Sequence, residues 1–99
     1  MAIIYKYELK PDGWIVVPHG SKFLHARWKD ESVKTWFEVP DPNSVEPSYE
    51  KIVAIPTGMI FNPQGLEYLD TIHIEGENLV FHLYKDRQLD RIEGPVAYA

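Results

Sequence analysis

Cysteine is absent from the 99 residues, which excludes disulfides, thiolate metal sites and a cysteine nucleophile, and fits a reducing compartment. Long apolar runs are missing too. No stretch approaches the roughly 18 residues of a membrane-crossing helix, and the opening MAIIYKYELK is interrupted by Lys6 before it reaches signal-peptide length. A soluble protein without a membrane partner is therefore expected. Basic charge is in short supply: 10 Lys and Arg stand against 15 Asp and Glu, a formal charge of −5. That balance opposes attraction to nucleic-acid phosphates and leans toward a basic partner surface, although ordinary solubility asks for a similar charge.

Signatures of chemistry are equally sparse. There is no GxGxxG, P-loop or EF-hand spacing. Ser21, Ser32, Ser44 and Ser48 all fall in turn-like stretches without a nucleophile elbow. His19, His25, His73 and His82 come from separate segments and lack the paired spacing of a zinc site. His73 and His82 read as half-buried, hydrogen-bonded residues, and Asp70, alone among apolar neighbours, as a strand-edge carboxylate bonded to backbone or to an Arg. No catalytic residue, metal or cofactor is expected, and the protein reads as a non-enzyme.

What the chain does contain is alternation. Residues 66–86, LEYLDTIHIEGENLVFHLYKD, hold two strand-like runs separated by Glu75, Gly76, Glu77 and Asn78, a β-hairpin signature. Setting Ile74 opposite Leu79 places Ile72 opposite Phe81, Thr71 opposite His82 and Asp70 opposite Leu83. Tyr68, Ile72, Ile74, Leu79, Phe81 and Leu83 then share an apolar face that Asp70 interrupts.

Upstream, Ile3, Tyr5, Tyr7 and Leu9 alternate with Ile4, Lys6 and Glu8 as a strand with one buried face, ended by Pro11, Asp12 and Gly13. Further strands are expected over residues 14–17, 23–28, 33–39 and 51–55. The Pro-rich stretch 40–49 reads as an exposed loop. Pairing Trp28 with Val33 buries Leu24, Ala26, Trp28, Val33, Thr35, Phe37 and Val39, and turns Phe23, His25, Arg27, Lys34, Trp36 and Glu38 outward. Arg27 and Lys34 stand opposed on that outer face.

After Tyr84 the alternation stops, and a short amphipathic helix over residues 85–92 competes with simple fraying. The expectation is all-β: a small antiparallel sandwich or barrel of about seven strands, with that short C-terminal helix as one alternative for the tail. Residues 1–86 form a single β domain on this reading, and residues 87–99 a weakly ordered tail.

The outward group Phe23, His25, Arg27 and Trp36 collects residue types that dominate protein interfaces, and it is the candidate binding site. A second sheet, or the tail through Leu89 and Ile92, covering that face is the competing reading. IYKYEL at residues 4–9, Val17-Pro18-His19-Gly20, Leu24, Trp36, Thr57-Gly58, Leu69-Asp70-Thr71 and LVFHLY at residues 79–84 together resemble a family of small bacteriophage and prophage proteins. In that pattern His and Pro often follow the Thr-Gly pair, where this chain has Met59 and Ile60. The resemblance implies a setting, the cytoplasm of an infected host, and carries no catalytic residues. The function expected is that of a non-enzymatic phage accessory protein binding a host or defence protein, or a second copy of itself as a homodimer. The alternatives are a minor virion component, or a sponge for a small nucleotide stacked on Trp36 or Trp14 with Arg27 near a phosphate.

Overall fold

The computed structural model describes residues 1–74 and 76–87. Among them the chain forms β1 (Ile3–Glu8), β2 (Trp14–Pro18), β3 (Lys22–Lys29), β4 (Ser32–Val39), β5 (Pro47–Pro56), β6 (Leu66–Ile74) and β7 (Leu79–Asp86). Every pairing is antiparallel, in a three-stranded sheet ordered β1-β4-β3 and a four-stranded sheet ordered β2-β5-β7-β6. The fold is all-β, as the alternation indicates. No helix among the described residues is long and apolar enough to cross a membrane. Lys85 and Asp86 belong to β7, so the expected helix does not begin at residue 85. The Arg87 amide donates to the Gly65 carbonyl at 2.8 Å, and residues 88–99, with the rest of that helix and most of the tail, lie outside the described residues.

The inner faces of the two sheets meet in one core. Ile15 and Val17 come from β2, Ala26 from β3, Phe37 from β4, Ile52 from β5, Ile72 and Ile74 from β6, and Leu83 from β7. Thr35 is fully buried among them, and its hydroxyl donates to the Tyr7 carbonyl at 2.8 Å, which removes the cost of an unpaired buried hydroxyl. β5 links the four-stranded sheet by pairing with β2 over its first half and with β7 over its second. Pro47, Ser48 and Tyr49 are therefore strand and not loop, a correction to the reading of 40–49. Pro47 stands at the strand start opposite Pro18, where neither residue can or need donate to the ladder.

Two β-bulges redirect side chains that strict alternation misplaces. Between β3 and β4 the pairing runs as expected from Trp28 opposite Val33 to His25 opposite Trp36, then shifts by one, leaving Phe23 opposite Phe37. Leu24 is the extra residue. Phe23 consequently turns inward, edge-on to Phe37 with ring centroids 5.6 Å apart, and Leu24 turns outward. In the β6–β7 hairpin the expected pairs hold from Ile74 opposite Leu79 to Asp70 opposite Leu83, then shift so that Tyr68 faces Tyr84. Leu69 thereby joins the core and Tyr68 becomes exposed, the reverse of their expected faces. Leu79, at the hairpin end, is exposed as well.

The bulged strands β3 and β6 are the outermost strands of their sheets, and they lie beside each other. Their seam organises the functional surface.

Candidate functional site

The outward face of the three-stranded sheet is built around Trp36. Thr35, Phe37 and Val39 are buried, so the pleat sends Lys34, Trp36 and Glu38 to the other side. Cross-strand pairing puts Lys6 of β1 and His25 of β3 on either flank of Trp36. The His25 and Trp36 rings pack with centroids 5.6 Å apart and planes tilted by 32°.

Arg27 lies two pairs along the ladder, next on this face, opposite Lys34. The repulsion between those two cations is relieved because Lys34 turns away, its ammonium donating to Glu8 Oε1 at 2.9 Å. That hydrogen bond and charge, with smaller help from Ser32 and Lys10, hold the Glu8 carboxyl below its ordinary range. Arg27 itself stays exposed, and no carboxylate among the described residues pairs with it.

The seam fixes His25. Asp70 Oδ2 lies 3.1 Å from His25 Nδ1 and accepts the Ala26 amide at 2.9 Å, while Oδ1 accepts the Thr71 amide at 2.8 Å. Asp70 is thus a strand-edge carboxylate bonded to backbone. With Nδ1 held by the carboxylate, the ring orientation is set and Nε2 is the nitrogen left to meet a ligand. No hydroxyl among the described residues is hydrogen-bonded to His25, so this acid–imidazole pair lacks the nucleophile of a catalytic triad.

Grooves open along the seam on both sides of Asp70. One, of about 400 Å³, is lined by His25, Arg27, Trp28, Thr71, Ile72 and His73. The other, of about 370 Å³, is lined by Phe23, Leu24, Glu50, Glu67, Tyr68 and Lys85. Glu50 is buried there, with Lys85 Nζ 3.4 Å from its Oε1.

Three of the four expected site residues therefore share one face. His25 and Trp36 stack, Arg27 lies alongside, and Phe23 is removed to the core side by the bulge. Asp70 and Lys6 complete the face but were not singled out for it. The isolated acid within an apolar alternation was the signal available for Asp70.

The family model for a domain of unknown function, DUF7352, matches residues 1–93. The chain belongs to this family. No curated protein and no solved structure matches it. The DUF7352 match takes in all of β1 to β7, so the Trp36 face and the seam both lie within the family domain.

A second polar cluster of this DUF7352 chain occupies the outer face of the four-stranded sheet. His82 Nε2 lies 2.7 Å from Thr57 Oγ1, and Nδ1 lies 3.0 Å from Thr71 Oγ1, which in turn contacts the Tyr68 hydroxyl at 2.6 Å. His82 is half-buried and hydrogen-bonded as expected, whereas His73 is exposed and lines the seam groove. Among the described residues no group of three or more His, Cys, Asp or Glu side chains is placed to hold a metal ion.

Proposed function

We propose that this DUF7352 domain is a non-enzymatic binding module that docks a partner protein on the outward face of β3 and β4. The observation that carries this reading is the exposed His25 ring packed on the outward, half-buried Trp36, beside an exposed Arg27 that no described carboxylate neutralises. A flat sheet face with a central Trp, a neighbouring Arg and a rim of charged side chains has the composition of an interface hot spot. Asp70 supports the same role by holding His25 in one orientation before a partner arrives, which lowers the entropy cost of docking.

The local charge refines the partner. Lys6, Lys22, Lys34 and Arg27 share this face with Glu8 and Glu38, so it is locally cationic although the whole chain carries −5. An acidic patch on the partner fits it better than the basic surface suggested by net charge alone. The resemblance to phage and prophage proteins supports a setting in the host cytoplasm, where the module acts as an accessory protein on a host or defence protein.

A small phosphate-bearing ligand is the second reading, favoured by Arg27, His25, His73 and Trp28 around the 400 Å³ groove. Immobilised protein incubated with host lysate tests the first reading. A specific protein should be retained by the wild type and lost with Arg27→Glu. Absence of any retained protein, together with calorimetric heat on adding nucleotides, would transfer the assignment to the second.

A further inference from the structure

We propose that two copies of this chain pair antiparallel along β1, extending each three-stranded sheet into one of six strands. This pairing uses the backbone edge of β1, whereas the proposed docking uses the outward side chains of β3 and β4. Among the described residues β1 is hydrogen-bonded on its β4 side only. The Leu9 amide donates to the Val33 carbonyl at 2.9 Å, so in the antiparallel ladder Tyr7, Tyr5 and Ile3 also direct their backbone groups at β4. The N–H and C=O groups of Ile4, Lys6 and Glu8 consequently point away from the sheet.

The other strands that end the two sheets are obstructed. β3 is bulged at Leu24, and Asp70 takes its Ala26 amide. β6 is bulged at Leu69 and faces β3. β2 has five residues and ends on Pro18, which has no N–H. Short strands, bulges and prolines are the usual protections of a sheet edge. β1 lacks all three and has only the charges of Lys6 and Glu8 to blunt it: it runs six residues without a bulge or proline, with Ile3 38%, Ile4 57% and Tyr5 40% exposed.

Its sequence is self-complementary. In the register centred on Tyr5, Tyr5 meets Tyr5 and Ile3 meets Tyr7 on the inner face, while Ile4 meets Lys6 on the outer one. A register centred on Lys6 opposes two ammonium groups and is disfavoured. The two-fold axis is perpendicular to the sheet, so inner faces stay on one side and the half-exposed Ile3 and Tyr5 gain cover. The Trp36 faces of both copies also come onto one surface, separated by three strand spacings, about 14 Å. A strand pair alone buries less than the roughly 1,200 Å² of a standard interface, so dissociation is expected in the micromolar range.

Sedimentation velocity from about 5 to 500 µM, a span that brackets such an affinity, tests this. The wild type should pass from monomer to dimer over that range. Lys6→Pro removes an outward N–H without touching the β4 ladder, and should stay monomeric with an unchanged far-ultraviolet spectrum. Ile4→Lys, set against Lys6 of the second copy, should weaken the dimer about tenfold, whereas Ile4→Glu should not. A wild type that remains monomeric throughout, a dimer indifferent to Lys6→Pro, or equal weakening by both Ile4 variants would overturn the proposal.

Discussion

The carboxylate of Asp70 accepts the Ala26 amide at 2.9 Å and so joins two sheets that share no backbone ladder at that seam. The contact satisfies a donor on the edge of β3 and positions His25 at the same time. Asp70→Ala leaves the amide unpaired and should cost about 1–3 kcal/mol. Asp70→Asn keeps an acceptor oxygen and should lose less. Urea unfolding of both variants measures this, and indistinguishable midpoints for wild type and Asp70→Ala would show that the seam contact contributes nothing.

The bulge at Leu24 makes a contrast between adjacent residues. Phe23 packs on Phe37, so Phe23→Ala should cost about 3–4 kcal/mol, while Leu24→Ala, at an exposed position, should cost under about 1 kcal/mol. Denaturant midpoints in the reverse order would restore Leu24 to the core and abolish the bulge.

These two residues also mark where sequence reasoning stops. Alternation and turn residues were enough to pair Trp28 with Val33 and Ile74 with Leu79, because both hairpins close on tight turns and the period of two then propagates. An inserted residue leaves no compositional trace. Leu24 and Phe23 are both apolar, as are Leu69 and Tyr68 in large part, so either member of each pair satisfies the pattern equally. Asp70 carried the missing information: a lone acid in an apolar run needs a donor, and the donor is the edge of the other sheet. Strand pairing at Pro47–Tyr49 was hidden for a different reason, since prolines there suggest a loop unless the partner strand, ending on Pro18, is already in place.

The turn between β3 and β4 places Asp30 and Glu31 at φ values of 53° and 64°, in the left-handed region that costs side-chain-bearing residues about 1–2 kcal/mol. Glu31→Gly should therefore stabilise the fold by about 1 kcal/mol, roughly 4–8 °C in melting temperature for a domain of this size. Gly13→Ala should do the opposite by at least about 2 kcal/mol. Gly13 has φ +81°, and a Cβ there would lie 2.5 Å from the Ile52 carbonyl oxygen. Thermal melts that move neither way would remove the strain from both turns.

Acid should weaken the fold partly through Glu8. Its carboxyl is held below the ordinary value of 4.5 by Lys34 first, then by Ser32 and Lys10. A depressed value in the folded state means that this contribution is present above 4.5 and is lost as pH falls through the folded value. Glu8→Gln should accordingly flatten the acid limb of stability against pH. Superimposable acid limbs for wild type and Glu8→Gln would dissociate Glu8 from acid unfolding.

Trp36, half-buried on the outward face of β4, serves binding more than folding, and paired measurements on Trp36→Ala test this most directly. Urea unfolding of the variant should stay within about 1 kcal/mol of wild type, while affinity for the captured partner should fall by at least about 2 kcal/mol, roughly thirtyfold. A strict monomer that loses several kcal/mol of stability on Trp36→Ala, with partner capture unchanged, would place Trp36 in the core and contradict the account.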